Sequence, residues 1–236
     1  MIPLLSNRDG RNYQKVFVLY ETMRDWPGQP TPHYRQAIFL DRDGTINVDT
    51  HYPHQVELLE FIPHALHALA LLAKLPLDII VVSNQAGIAL GMFTCKHMSE
   101  FNRELRSKVE ESGGRIDAFY FCPHHELKDL PPGSLTCICS KPAPGMLLEA
   151  AKDFQLDLSK SFLIGDKTSD IAAGESVGCM TILVETGKAG KEEEALPVRP
   201  NYVIGDLYEA AKTVQSILQI RTDIFDSQGW RSNQWC

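Results

Sequence analysis

Asp41 and Asp43 flank a single arginine in the stretch FLDRDGTIN, where an apolar run gives way to Gly44 and Thr45. Asp commonly closes strands in turns, because its carboxylate accepts hydrogen bonds from nearby backbone N–H groups. That alone would account for the pair. The chemical reading is that the two carboxylates face a cation and a phosphate. Three more polar clusters bear on the choice: SNQAG from Ser83, SKPAPG around Lys141, and GDKTSD with Asp166 and Asp170. Each has an ordinary explanation, as a polar turn, an exposed lysine or a capped helix start. Each also follows an apolar run or the loop above one, which is where open α/β sheets bind ligands.

The four clusters fit one reaction. A carboxylate approaching a phosphate dianion meets repulsion of about 1 kcal/mol per charge pair at 4 Å in water, and roughly four times that at an effective dielectric of 20. Positive charge must offset it. Mg²⁺ favours carboxylates and phosphate oxygens, so Asp41 and Asp166 are natural ligands, with the Asp43 carbonyl assisting. Lys141 supplies a second cation, and Ser83 Oγ and the Asn84 N–H can donate to the phosphoryl oxygens. Asp170 is better placed to brace the metal site than to enter it. Asp41 would form an aspartyl-phosphate. Asp43 would protonate the leaving alkoxide and later deprotonate water.

The elements that must position these residues follow from apolar runs at 36–40, 77–83, 116–121, 161–165, 180–184 and 201–205. Most are continuously apolar, as parallel strands covered on both faces require. Between them, Met98, Phe101, Leu105 and Val109 fall at helical spacing, with Gly113 as the stop. PHALHALALLAK opens on Pro63, tolerated in a first helical turn, and 146–154 and 206–219 also have helical patterns. Strand–helix alternation predicts a doubly wound, mainly parallel α/β sheet with helices on both faces. That domain spans 36–220, preceded by a Pro-rich extension (1–35) and followed by a polar tail (221–236).

The chain of 236 residues can bury a sizeable core, and its net charge of −7 without a basic block argues against nucleic acid as partner. A small phosphorylated metabolite needs only a local positive site. The N-terminus lacks a basic segment followed by a long apolar one, and no stretch is long and apolar enough to span a membrane. The cytoplasm is the expected compartment and a monomer the expected state.

Cys122-x-His124, then twelve residues, then Cys137-x-Cys139 offers three thiols and one imidazole. This set suits a closed, tetrahedral, structural Zn²⁺ site, with His125 as the competing ligand. The alternative is incidental cysteines beside surface histidines. Such a metal would pin the loop that delivers Lys141.

The ordered series D-x-D-G-T, S-N, K-P and G-D-x-x-x-D, from residue 41 to 170, resembles the four-motif signature of the haloacid dehalogenase superfamily of phosphohydrolases. The resemblance implies a Rossmann-like core with Asp41 as nucleophile and Asp43 as acid/base. Many members carry a cap domain. Here 41 residues separate Asp41 from Ser83 and 57 separate Ser83 from Lys141, intervals used by core elements, so no separate cap is expected.

A C-x-H…C-x-C loop before K-P resembles the branch containing heptose bisphosphate and histidinol-phosphate phosphatases. NVDTHYPH and SNQAGIALGMFT look more like the heptose enzymes. That resemblance implies removal of the 7-phosphate of a heptose 1,7-bisphosphate, with histidinol phosphate or another small sugar phosphate as the alternative. It places Asp49, Thr50, His51, Tyr52, Ser83, Asn84, Gln85, Ala86 and Lys141 around the sugar phosphate, with Lys167 in contact. The branch has C-R-K-P, whereas this chain has Cys139-Ser140-Lys141-Pro142. Ser140 stands where the arginine expected to grip the distal phosphate would be. A DNA-end phosphatase is opposed by the acidic balance. A zinc module without catalysis is opposed by the presence of Asp41, Asp43, Lys141 and Asp166.

Overall fold

The computed structural model describes residues 35–125 and 137–227. The expectations for 1–34, 126–136 and 228–236 lie outside the described residues. Six strands are formed: β1 (Ala37–Leu40), β2 (Asp78–Asn84), β3 (Ala118–Cys122), β4 (Phe162–Gly165), β5 (Met180–Val184) and β6 (Tyr202–Ile204). All pair in parallel, in the order β3-β2-β1-β4-β5-β6. The helices between them are α1 (Ala65–Leu72), α2 (Cys95–Glu111), α3 (Gly145–Phe154), α4 (Thr168–Ser176) and α5 (Leu207–Ser227).

The continuously apolar strands are explained by what covers them. Side chains alternate faces along a strand. Ile38, Leu40, Ile79, Val81, Phe162 and Ile164 join one buried cluster with residues of α1, α2 and α5. Ala37, Phe39, Ile80, Val82 and Leu163 join another with Met146, Leu147 and Ala150 of α3 and Ala173 of α4. Both faces are thus buried, and each fully buried aliphatic or Phe side chain contributes about 1.5–3 kcal/mol. β6 is the exception. It lies at the sheet edge, where Tyr202 and Val203 are 40% and 58% exposed.

In α2 the expected stripe Met98, Phe101, Leu105 and Val109 is buried. Thr94 Oγ1 accepts from His97 N at the start, and Gly113, at φ 80°, leads the chain away. α1 begins later than Pro63 suggested. His64 adopts φ 65° and serves as the N-cap, which leaves Pro63 outside the first turn. α5 continues past residue 220 to Ser227.

Between β1 and β2 lie a loop, a short 3₁₀ turn (Val56–Leu58) and α1, and between β2 and β3 only α2. There is no separate cap domain among the described residues. None of their helices is long and apolar enough to cross a membrane.

Candidate active site

β1 and β4 are neighbours, and the chain runs outward from them in opposite directions to β3 and β6. The crevice at such a switch point is the usual ligand site of this architecture. Asp41 ends β1 here, its N–H still held by the Ile164 carbonyl at 2.9 Å. Asp166 follows β4. Lys141 reaches in from the opposite side, with Nζ 2.6 Å from Asp41 Oδ1, 2.6 Å from Asp170 Oδ1 and 2.7 Å from the Val82 carbonyl. Asn84, at the end of β2, fixes this lysine's backbone through two hydrogen bonds, each 2.9 Å. β2 thereby sets where the loop after the Cys/His cluster delivers its cation.

Asp41, Asp166 and Asp170 are all buried, and their nearest carboxylate oxygens lie within 4.8 Å of one another. Burial pushes Asp41 up, but Lys141 and Lys167 outweigh it and hold the carboxyl below its ordinary value. At Asp166 the attraction of Lys167 and a hydrogen bond from the Lys188 N–H to Oδ2 are too weak to prevail. Burial, reinforced by the charges of Asp41 and Asp170, pushes it up to about 8. Asp170 rises to about 6, chiefly through burial, with Lys141 pulling the other way. Asp166 Oδ1 is buried without a hydrogen-bond partner.

Backbone presses close on this carboxylate. A Cβ on Gly44 or on Gly187 would collide with Asp166 Oδ2, and both glycines have positive φ, 94° and 56°. These two positions require glycine twice over, for the turn and for the space. Thr186 Oγ1 donates to the Gly44 carbonyl at 2.8 Å, joining the two loops around the acid. An orphaned oxygen in a crowded, buried carboxylate set fits a hard divalent cation with oxygen ligands.

Asp41, Asp43, Ser83, Asn84, Lys141, Lys167, Ser169 and Asp170 border one cavity of about 30 Å³. That is room for about two waters, which suits a phosphoryl group and leaves the rest of a substrate at the mouth. Ser169, in the first turn of α4, escaped sequence analysis because nothing distinguishes it from an ordinary helix-start serine.

The structure does not bring every expected residue to this cavity. Gln85 is buried behind it, donating to Asp43 and Ser83. Thr50 and His51 are exposed, Ala86 and Ser140 are half-buried, and Tyr52 packs toward Phe93, Met98 and Phe121. Asp49 does approach, with its carboxylate 3.7 Å from Lys167 Nζ. Burial lowers Lys167, but Asp41, Asp166, Asp170 and Asp49 outweigh it and raise it above its usual range. A larger cavity of about 320 Å³ lies between α2 and β3, lined by Lys96, Arg103, Arg106, Phe119 and Phe121 among others. It contains none of the clustered carboxylates.

Cys122, His124, Cys137 and Cys139 form the second cluster. Their sulfur and Nδ1 atoms stand 2.9–3.5 Å apart in all six pairings. Bonds of about 2.3 Å to sulfur and 2.0–2.1 Å to nitrogen give a tetrahedron with edges of roughly 3.3–3.8 Å, close to this spacing. His124, rather than His125, completes the set. Hydrogen bonding from Cys139 pulls the Cys122 thiol down to about 5, and the same contact pushes Cys139 up. A bound cation would let all the thiols ionise together.

The haloacid-dehalogenase-like ("HAD-hydrolase-like") family model matches residues 138–210, which include Lys141, Asp166 and Asp170. The chain is 36% identical over 181 residues to the D-glycero-beta-D-manno-heptose-1,7-bisphosphate 7-phosphatase of Yersinia pestis, covering 76% of this chain and 95% of that one. The crystal structure of the D,D-heptose 1,7-bisphosphate phosphatase of B. bronchiseptica, complexed with magnesium and phosphate, superposes with TM-score 0.68 at 27% identity, covering 77% of this chain and 99% of that one. The corresponding enzyme from Burkholderia thailandensis gives 0.58 at 26%, covering 77% and 99%. The chain belongs to the haloacid-dehalogenase-like phosphatases. It is an enzyme of phosphate-ester hydrolysis.

Proposed function

We propose that this phosphatase removes the 7-phosphate of D-glycero-D-manno-heptose 1,7-bisphosphate through an aspartyl-phosphate at Asp41. The observation that carries the chemistry is an ionised, buried Asp41 paired with Lys141 beside two further carboxylates. The substrate is carried by the relatives' names across nearly their whole length. Asp41 Oδ attacks phosphorus, the ester P–O bond breaks, and the departing alkoxide takes a proton from Asp43. Asp43 then accepts a proton from water as the water oxygen attacks phosphorus and the Asp41–phosphorus bond breaks. Lys141 offsets charge on the transferring group, and Ser83 and the Asn84 N–H donate to its oxygens. Asp41, Asp166 and the Asp43 carbonyl would hold Mg²⁺, with Asp170 bracing them. When bound, the ion neutralises charge between carboxylate and phosphoryl oxygens.

A phosphate-release screen over heptose 1,7-bisphosphate, sugar monophosphates and histidinol phosphate tests the substrate. Highest kcat/KM is expected for the bisphosphate. Ser140 favours one second reading, a monophosphate substrate, because a neutral hydroxyl grips a distal phosphate less well than a guanidinium. Preference for histidinol phosphate or a sugar monophosphate would overturn the bisphosphate assignment.

Mg²⁺ binding should be linked to pH. The Asp166 carboxyl sits at about 8 in the folded chain against 3.8 as the ordinary value. Its contribution to metal-free stability is therefore present below the ordinary value and lost as pH rises toward 8. A cation replaces the missing proton. Mg²⁺ should accordingly raise the melting temperature more at pH 8 than at pH 5; equal shifts at the two values would contradict this placement.

The Cys/His cluster is proposed to hold structural Zn²⁺. Protein purified without chelator should contain about one zinc per chain. Cys137→Ser should lower both the melting temperature and the activity, through the loop that ends at Lys141. Metal analysis showing no tightly bound zinc would remove the site.

A further inference from the structure

We propose that Arg42 is the positioning residue for Asp43, and that it ties the acid/base carboxylate to α2 and to the loop at Pro53. This rests on the reading of Asp43 as acid/base. Arg42 is 1% exposed, unusual for a residue next to a nucleophile that must meet a dianion. It does not face the cavity that Asp41 and Asp43 border. Its Nε donates to Asp43 Oδ1 at 2.8 Å and its Nη2 to Asp43 Oδ2 at 2.9 Å, a two-pronged grip on one carboxylate.

The remaining donors are also taken. Nη2 donates to the Pro53 carbonyl at 2.9 Å, and Nη1 to Asn102 Oδ1 at 3.1 Å and to Met98 Sδ at 2.6 Å. The guanidinium lies 4.6 Å from the centre of the Phe101 ring. A guanidinium has five N–H donors, and every one of these has an acceptor. Nothing is left for a phosphate. The side chain therefore serves protein geometry rather than substrate charge.

Asp43 receives two further bonds, from Asn47 Nδ2 to Oδ1 and from Gln85 Nε2 to Oδ2, both 2.9 Å. Gln85 and Asn47 are single neutral donors on short arms, whereas Arg42 fixes both oxygens and so the plane of the carboxylate. Asn102, Met98 and Phe101 share the buried face of α2. Orientation of the acid/base is thus referred to a rigid helix and not to the loop that carries it. Such orientation matters because a displacement of about 1 Å can cost on the order of 100-fold in rate.

The test uses leaving groups of different basicity. kcat/KM reports steps through leaving-group departure, where an alkoxide needs the Asp43 proton and p-nitrophenolate does not. Arg42→Gln should lower kcat/KM for glycerol 1-phosphate by about 100-fold and for p-nitrophenyl phosphate by less than about threefold. Combined with Asp43→Asn it should cause little further loss, since the two act as one unit. Asn102→Ala leaves the Arg42–Asp43 pair in place and should show the same ester-dependent pattern at about three- to tenfold; it carries the test if Arg42→Gln does not fold. Equal losses on both esters, or additive losses in the double variant, would overturn the positioning role. If Asp43→Asn itself shows no ester dependence, the acid/base reading fails instead.

Discussion

Asp41→Asn leaves a folded protein whose turnover is expected to fall by on the order of 10⁴-fold or more, the scale seen when a covalent nucleophile is removed. The substitution keeps the shape of the side chain, so its effect is on chemistry. An amide neither attacks phosphorus as an anion nor pairs with Lys141 as Asp41 Oδ1 does at 2.6 Å. Stability should respond differently from activity. The attraction of Lys141 and Lys167, which holds Asp41 ionised, is lost, but so is the repulsion Asp41 exerts on Asp166 and Asp170. These oppose one another, and the melting temperature should move by no more than about 5 °C. Phosphate release and trapping of phosphoenzyme after acid quench measure the two halves of the claim. Near-normal Mg²⁺-dependent hydrolysis by the variant would displace Asp41 as nucleophile.

Asp41, Lys141 and Asp166 were legible from sequence because each stands just past an apolar run or in the loop above one, and local pattern predicts strands well. The Cys/His cluster was legible from spacing and ligand softness alone. His124 was the ligand read from the C-x-H spacing, with His125 competing, and the chain leaving β3 at Cys122 does bring His124 to the three sulfurs.

The support of Asp43 was hidden. Arg42 finds its acceptors at Pro53, Met98 and Asn102, which are 11, 56 and 60 residues away, and only the packed α2 brings the last two near. Residues 49–52 show another limit. His51 and Tyr52 both adopt φ 62°, without a glycine to announce it, and the turn carries Tyr52 toward an apolar cluster and away from the cavity. Edge position escaped for a related reason. The Tyr-Val-Ile core of NYVIG is continuously apolar like the central runs, yet its exposure depends on where β6 falls in the strand order.

Lys141→Met is expected to lose both activity and stability, which separates it from Asp41→Asn. Lys141 is 5% exposed and spans Asp41 and Asp170 at 2.6 Å each. Burial lowers its proton affinity, but Asp170 and Asp41 outweigh burial and raise it, so the lysine stays charged across the working range. Methionine fills similar space without the charge. Two buried carboxylates then lose the cation in contact with both, with Lys167 attracting them only from farther off, and breaking a buried pair from one side costs about 3–5 kcal/mol. Activity should fall by at least about 10²–10³-fold, the loss for one preorganised donor to a developing charge. Lys141→Arg tests geometry against charge. A planar guanidinium restores the positive charge but cannot place three donors from one atom on Asp41, Asp170 and the Val82 carbonyl, all of which Nζ now reaches. The arginine variant should therefore recover part of the melting temperature and little of kcat. If it recovers both, charge alone suffices at this position; if Lys141→Met keeps wild-type activity, the lysine takes no part in phosphoryl transfer.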